Sequence, residues 1–193
     1  EECKQCAAVL NPKEQITTLV DAAHRWFKSM GGTAAAVRVG LFMAENSHLT
    51  VVQSTNGAEL NVITSPNDPD FKPRYRIDLP HERPPEAMVA KAFVNDDVFI
   101  CPDAEEDPDF QFFTNPQKNY LKSMVACPLH EKKERAPFGV LSADANVAGF
   151  FQDTQEEASR ILLLADEFAV RLSFELSMLR YMYKVGTPAD GEG

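Results

Sequence analysis

The chain has 193 residues and a formal net charge of −10 at pH 7, and its hydrophobic and charged fractions, 44% and 25%, are typical of a globular protein. The negative charge argues against direct binding of DNA or RNA, because their phosphates would meet a field of the same sign. The sequence has no run of about eighteen apolar residues, so we expect no direct membrane insertion of this segment.

The first part of the chain predicts a helix and a β-hairpin. Asn11–Pro12 is typical of a helix start and Gly31–Gly32 of a helix end. Between them the apolar residues recur at helical spacing: Ile16, Leu19, Val20, Ala23, Phe27 and Met30. A strand then places Val37, Val39, Leu41 and Met43 on one face and Arg38, Gly40 and Phe42 on the other. Residues 45–48 are a predicted turn into a second strand over residues 49–54.

Residues 57–85 contain six prolines and show little periodicity. A stretch of this length without helix or strand signals is uncommon inside a compact domain. We therefore expect a lid or a flexible excursion in this part of the chain.

The next part predicts several short elements in close succession. An apolar helix over residues 87–93 leads into a strand over residues 98–101. An acidic loop rich in phenylalanine covers residues 102–120. Two further strands are predicted over residues 123–129 and 138–144.

A long helix is predicted from Asp153, with Glu156 as its capping partner, to about Lys184. Some of its apolar residues alternate at spacings of three and four, which is typical of a coiled-coil seam: Leu162, Ala165, Ala169, Leu172, Leu176, Leu179 and Tyr183. We expect the first half of the helix to pack on the domain and the second half to project and pair with another copy. The alternative interpretation is a long helix of the core.

Four segments resemble, in order and spacing, the GAF domain family: residues 98–103, 120–129, 138–144 and 150–153. The resemblance implies an α+β fold with an antiparallel central β-sheet, the terminal helices on one face, and a ligand-pocket region of loops and helix on the other. We expect four parts of the chain: an N-terminal segment (1–12), the GAF-like domain (13–175), the projecting end of the last helix (176–185) and a disordered tail (186–193).

GAF domains bind cyclic nucleotides, tetrapyrroles, haem, small metabolites or metals, and many pair through terminal helices to drive an output domain. The resemblance therefore implies a sensory or regulatory module that binds a small ligand and signals through a helical homodimer to a partner or output domain. It does not name the ligand or a cofactor. The alternative is a scaffold for dimerisation whose pocket is filled by side chains.

The loop that follows residues 98–101 is the predicted ligand region, because its phenylalanines can wall an apolar pocket beside a few polar groups. The predicted ligand-binding residues are Arg38, Phe99, Cys101, Asp103, Phe110, Phe113, Tyr120, Ser123 and Cys127. Arg38 is a candidate anion-binding group, with a solvated edge charge as the alternative. The phenylalanines fit a core plug equally well, and the acidic residues of the loop are interpreted as solvated rather than metal-binding.

No catalytic residue or metal site is predicted, and we expect the protein not to be an enzyme. Asn146 is followed by Val147 and not by the lysine that marks cyclic-nucleotide binding in this family. Residues 119–122 contain no cysteine, although bilin attachment and free methionine sulfoxide reduction place one there. Cys3 and Cys6 have the spacing of half a zinc site, but no second close pair of ligands follows.

The cysteine content bears on location and on thiol chemistry. Four cysteines in a chain of this size make no disulfide framework, which favours a reducing compartment. We predict a cytoplasmic location, either as a separate protein or as the cytoplasmic part of a larger membrane-anchored one. Cys127 and His130 lie three positions apart in a predicted strand and so face opposite sides, which favours a buried thiol over a catalytic pair.

Overall fold

The computed structural model describes residues 12–30, 35–45, 48–55, 60–62, 76–79, 87–112, 115–131 and 136–186. These residues contain four helices: α1 (Pro12–Met30), α2 (Met88–Asn95), α3 (Asn115–Tyr120) and α4 (Gln155–Gly186). They also contain seven strands: β1 (Val37–Glu45), β2 (His48–Thr55), β3 (Leu60–Val62), β4 (Arg76–Asp78), β5 (Phe99–Cys101), β6 (Ser123–Leu129) and β7 (Gly139–Ala145).

The strands form one antiparallel sheet in the order β3-β2-β1-β7-β6-β5, and β4 pairs with β2 beside β3. The centre of the sheet is therefore β1, β7 and β6. Each of these strands has a hydrogen-bonded neighbour on both sides. All seven residues of β6 are buried, because apolar layers cover both faces of the sheet there.

Helices α1 and α4 cover one face of the sheet, which we call the helix face. Every second residue of β1, Val39 and Leu41 among them, points toward these helices and packs in one apolar layer with their apolar sides. Phe27 of α1 and Phe151, just before α4, meet edge to face with ring centroids 5.9 Å apart. Such aromatic pairs add about 1 kcal/mol to the burial of their area.

The opposite face, which we call the loop face, is covered by α2, by the loop that follows β5 and by α3. Its buried layer includes Phe42 of β1, Met124 of β6 and Ala90 of α2. Phe110 and Phe112 pack at its margin, with ring centroids 4.9 Å apart. The predicted α+β architecture, with terminal helices on one face and loops and helices on the other, is confirmed.

The start of the last helix differs by one residue from the prediction. Helix α4 begins at Gln155, and the hydroxyl of Thr154 accepts a hydrogen bond from the backbone N–H of Glu157 at 3.2 Å. The predicted cap at Asp153 with Glu156 is therefore wrong. Both residues are good helix caps, but Thr154 lies one position closer to the first helical turn.

The first half of the last helix packs on the domain, as expected. Ala165, Ala169 and Leu172 are at most 2% exposed and belong to the core between α4 and the sheet. These three residues of the seam therefore serve the chain's own core, whereas Leu162 is 42% exposed. The side chains of Leu179 and Tyr183 lie outside the described residues, so pairing of the second half with another copy stays a prediction. No helix in the described part of the chain is both long enough and apolar enough to cross a lipid bilayer.

The proline-rich stretch over residues 57–85 contains two short strands, β3 and β4, which extend the sheet beyond β2. The prediction that this stretch lacks structure is wrong at these positions, because three-residue strands are too short to give a periodic signal. Apart from Leu79, the remaining residues of the stretch lie outside the described part, as do the N-terminal segment up to residue 11, with Cys3 and Cys6, and the tail after Gly186.

Candidate functional site

An ion pair lies on the loop face near the end of the sheet. Arg38 of β1 and Asp144 of β7 are direct neighbours in the antiparallel ladder. The Nε of Arg38 donates to Oδ1 of Asp144 at 2.7 Å, and the two side chains keep 31% and 19% of their surface exposed. The pair is thus partly withdrawn from solvent but still reachable from it.

Tyr120, the last residue of α3, covers this ion pair. The guanidinium carbon of Arg38 lies 3.8 Å from the centre of the Tyr120 ring, which is a cation–π contact. The Tyr120 hydroxyl donates to the backbone oxygen of Ala36 at 3.0 Å, so the ring is held at both ends. We call Arg38, Tyr120 and Asp144 the Arg38 cluster.

Burial governs the electrostatics of this cluster. It raises the pKa of the Asp144 carboxyl, and the hydrogen bond and charge of Arg38 oppose that rise. Burial, and then the carboxylate of Asp144, raise the pKa of Tyr120 to about 12, so the phenol stays a hydrogen-bond donor at neutral pH. The cluster therefore presents a fixed guanidinium whose compensating charge lies on one side of it.

Carboxylates of the acidic loop hydrogen-bond to the backbone of the loop itself. Asp103 accepts the N–H of Glu105 at 3.0 Å, and Asp107 accepts the N–H of Asp109 at 2.8 Å. Lys122 pairs with Glu105 at 2.7 Å. Asp103 and Asp107 therefore stabilise turns of the loop, which was not predicted from the sequence. Glu105 and Asp109 are exposed, in agreement with their interpretation as solvated.

Several predicted ligand residues do lie on the loop face. Phe99 and Cys101 of β5 and Phe110 of the loop contact the same apolar layer as Tyr120, and Arg38 lies at its polar end. Asp103 follows Cys101 in the loop, and its charge acts on that thiol. Phe113 lies outside the described residues.

Ser123 and Cys127 lie elsewhere, so their grouping with the other predicted ligand residues is wrong. Along β6 their side chains point to the face opposite to that of Met124, and Cys127 belongs to the core of the helix face. The Ser123 hydroxyl donates to the backbone oxygen of Cys101 at 3.0 Å and accepts the N–H of Phe151 at 3.1 Å. This fully buried hydroxyl ties β5 to the entry of α4.

No model of a protein family and no curated protein matches the sequence. Solved structures do match the fold. The GAF domain/HD domain protein from Geobacter sulfurreducens is 12% identical, with a TM-score of 0.57 over 89% of this chain and 97% of that one. The GAF domain of a phosphoenolpyruvate-protein phosphotransferase from Coxiella burnetii is 14% identical, with a TM-score of 0.51 over 88% and 95%. The chain has the GAF fold.

An enzyme shares this GAF fold. The type II free methionine-R-sulfoxide reductase from Thermoplasma acidophilum is 15% identical, with a TM-score of 0.55 over 85% of this chain and 96% of that one. The GAF fold therefore occurs in an enzyme as well as in domains of other proteins, and it does not by itself decide what this chain does.

The two cysteines in the described part of this GAF-fold chain are unpaired thiols on opposite faces of the sheet. Burial first, and then Asp107, raise the pKa of Cys101 to about 12. Burial and the charge of Asp166 raise the pKa of Cys127 to about 12 as well. Both are thus protonated at neutral pH and poor nucleophiles.

His130, the candidate partner of Cys127, faces away from it. Its Nε2 lies 2.6 Å from Oδ1 of Asp96, at the end of α2. Cys127 is 1% exposed in the core of the helix face. The interpretation of Cys127 as a buried thiol agrees with this geometry.

Two residues of the site are absent from the predicted set. Asp144 holds Arg38, and Met124 lies beside Asp144 in the ladder between β6 and β7. An aspartate near the end of a mainly apolar strand was a signal in the sequence for Asp144. Nothing in the sequence paired it with Arg38, because that contact depends on β7 lying next to β1.

We expect Ser123→Ala to lower the free energy of unfolding by about 2 kcal/mol, because it leaves a buried N–H and a buried carbonyl without their partner. Urea denaturation followed by circular dichroism measures this change. Ser142→Ala is the matched control, since its hydroxyl makes only a long contact of 3.4 Å to the oxygen of Gly40. Equal and small effects of both substitutions would contradict the role assigned to Ser123.

Proposed function

We propose that this GAF-fold chain is a sensory or regulatory module. It binds a small ligand carrying an anionic group on the loop face and signals through a homodimer formed by its helices. The Arg38 cluster is the observation that carries this proposal. A guanidinium has five N–H donors, and the bond to Asp144 uses the one on Nε. The Arg38 side chain is 31% exposed, and in this proposal its Nη donors receive the anion.

The Arg38 side chain is already fixed in place, which favours ligand binding over a merely structural ion pair. Tyr120 and Asp144 already hold the Arg38 side chain, so a ligand would not bear the full cost of ordering it. The planar guanidinium matches the geometry of a carboxylate or phosphate group. The adjoining apolar layer would receive the rest of the ligand, as in most small-molecule sites.

Hydrogen bonds link the loop face to the start of α4, which supports a relay. The carbonyl of Pro102, at the start of the acidic loop, accepts the N–H of Gly149 at 2.7 Å. Ser123 joins Cys101 to Phe151 in the same region. A displacement of the loop by a ligand would therefore reach the residues that lead into α4.

A second candidate function, a scaffold with a filled pocket, is favoured by the packing of the loop face. Leu121 and Met124 are 1% and 8% exposed, and Phe110 packs on the same layer. In that case the sheet would serve dimerisation and the Arg38 cluster would stabilise the fold. The two functions differ in whether anionic compounds raise the unfolding temperature.

A thermal-denaturation screen with paired compounds tests the proposal. The probes are aryl and alkyl carboxylates, each paired with its neutral primary amide. We expect at least one carboxylate, but not its amide, to raise the unfolding temperature with a dose dependence, because a ligand of the native state stabilises it. Arg38→Lys keeps the charge but loses the planar guanidinium. It should raise the carboxylate concentration needed for the same shift in unfolding temperature at least about tenfold.

Arg25→Met is the control for this screen, since Arg25 is an exposed arginine of α1 paired with Asp21. It should leave the response unchanged. If no carboxylate shifts the transition, or if carboxylates act equally on wild type and Arg38→Lys, the proposed anion site is wrong and the scaffold function is favoured.

A further inference from the structure

A cavity of about 330 Å³ lies between the last residue of α1 and the entry into α4. Met30, Val147 and Phe150 give it apolar walls, and Glu157 and Arg160 of α4 give it charged ones. Met30 and Phe150 pack with the core of the helix face, so this cavity is separate from the ligand site proposed on the loop face. We call it the α1–α4 cavity.

The wall of the cavity between β7 and α4 is held in place by several contacts. The N–H of Gly149 donates to the oxygen of Pro102 at 2.7 Å, and the side-chain amide of Gln152 donates to the oxygen of Gly149. Gly149 has a φ of 69°, in the left-handed region that glycine adopts without strain. Phe150 and Phe151 meet edge to face with ring centroids 4.8 Å apart. The wall is therefore preformed, and a ligand would not bear the cost of ordering it.

Glu157 offers a hydrogen-bond acceptor that the chain leaves unsatisfied. Its Oε1 is buried and has no hydrogen-bond partner among the described residues. A buried carboxylate oxygen without a donor costs stability, so a ligand that supplies the donor removes that cost. The terminal torsion of a glutamate is broad, so that either oxygen can turn toward the cavity. An ammonium group is the strongest partner for such an oxygen, because both groups are charged.

Arg160 adds the opposite charge on the same side of α4. It lies three residues after Glu157, and residues at this spacing are neighbours on a helix surface. The Arg160 side chain is exposed and makes no ion pair within the part of the chain that the structure describes. Glu157 and Arg160 therefore face one cavity with opposite charges that are not paired with each other.

We infer that the α1–α4 cavity binds a small zwitterion, with its ammonium at Glu157, its carboxylate at Arg160 and an apolar side chain against the remaining walls. An aliphatic α-amino acid has this arrangement, because one carbon carries both charged groups. It would also cover Val147, which is 43% exposed. A volume of about 330 Å³ is at the lower end of small-molecule sites, which excludes ligands as large as a nucleotide or a tetrapyrrole.

Isothermal titration calorimetry of the full chain tests the chemical class of the ligand. The probes are L-leucine, isocaproate, which lacks the ammonium, and isoamylamine, which lacks the carboxylate. We expect L-leucine to bind at one site with a dissociation constant below about 1 mM, and each analogue to bind at least about tenfold more weakly. The titrations are made in Arg38→Lys as well, so that binding on the loop face is not counted. No heat of binding for L-leucine, or equal affinities for all three probes, would overturn the inference.

Substitutions in α4 test the two charged contacts. Glu157→Gln keeps the size of the side chain but removes its charge, and it should weaken L-leucine binding at least about tenfold. Glu156→Gln is the matched control, since Glu156 is exposed in the same helical turn and does not line the cavity. Arg160→Met should weaken binding about three- to tenfold, while Arg25→Met should leave it unchanged. Equal binding by wild type and Glu157→Gln, with folding checked by circular dichroism, would overturn the assigned ammonium contact.

Methionine methyl resonances in the NMR spectrum test where the ligand lies. The signal of Met30, identified by its loss in Met30→Leu, should shift on addition of L-leucine, because Met30 lines the cavity. Met124 lies on the loop face, and its signal should stay in place. A shift at Met124 without one at Met30 would overturn the α1–α4 cavity as the binding site. The carboxylate screen with Arg38→Lys tests the loop-face site separately, so either site can fail without the other.

Discussion

Arg38→Met is expected to lower the free energy of unfolding by about 2 kcal/mol at pH 7. Removing one member of a partly buried ion pair leaves the other charge without compensation, and the exposure of this pair reduces the loss below the 3–5 kcal/mol of fully buried pairs. The cation–π contact with Tyr120 is lost as well. Chemical denaturation of both proteins at the same pH measures the difference.

The stability lost in Arg38→Met should increase as the pH rises from about 4 to neutral. The pKa of Asp144 is raised in the folded protein, mainly by burial, and Arg38 opposes the rise, so Arg38→Met should raise it further. A carboxyl with a raised folded pKa contributes stability that is complete below its unfolded pKa of about 4 and is lost as the pH rises through the folded pKa. The defect of Arg38→Met should thus be largest at neutral pH and shrink as the pH falls toward about 4.

Two further variants sharpen this prediction. Adding Asp144→Asn to Arg38→Met removes the uncompensated charge and should recover most of the lost stability at pH 7. Arg25→Met removes an exposed arginine, 68% accessible, and should cost less than about 0.5 kcal/mol. A defect of Arg38→Met that is the same at pH 4.5 and pH 7.5 would contradict the assigned role of Asp144.

Gly139→Ala is expected to lower the free energy of unfolding by about 3 kcal/mol. A Cβ at Gly139 would lie 2.4 Å from the backbone oxygen of Phe42, and a backbone atom in the neighbouring central strand cannot rotate away. The ladder between β1 and β7 would have to shift at Met43, which pairs with Gly139. Urea denaturation measures the loss.

Gly40→Ala is the matched control for that substitution, because the same change is made in the adjacent strand. There the nearest atoms to the new Cβ are side-chain atoms, Cε2 of Phe42 at 3.0 Å and Oγ of Ser142 at 3.2 Å. Side chains can adjust, so we expect a loss of about 1 kcal/mol. A larger loss in Gly40→Ala than in Gly139→Ala would show that the approach of the two backbones is not the limiting contact.

The sequence contained enough to predict the layers of the fold. The alternation of apolar residues in β1 separates Val39 and Leu41, which meet the helices, from Arg38 on the loop face. Local spacing and the order of the elements therefore indicated the sheet, the terminal helices and the position of the only predicted cationic ligand residue.

The sequence could not assign the faces of β6, and this explains the misplacement of Ser123 and Cys127. Every residue of β6 is buried, so the strand has no polar side to distinguish the helix face from the loop face. The face follows from register with β5 and β7, which depends on tertiary pairing. The same limit hid the contact between Arg38 and Asp144, which are 106 positions apart.

The two apolar lines of α4 show a different limit. Its sequence has apolar residues on more than one side, and the regular spacing around Ala169 and Leu172 is typical of a coiled coil and of a core helix alike. The structure uses that line within the chain and leaves Leu163, Val170 and Phe174 exposed. Spacing alone does not say which line meets a partner.

Native mass spectrometry of the protein isolated from the organism that encodes it tests most directly whether the Arg38 cluster holds a small anionic ligand. Wild type and Arg38→Lys are compared under the same gentle conditions, with Arg25→Met as the control. We expect wild type and Arg25→Met to carry one additional small-molecule mass that Arg38→Lys lacks. The bare polypeptide mass in all three proteins, or the same added mass in all three, would contradict ligand binding at Arg38.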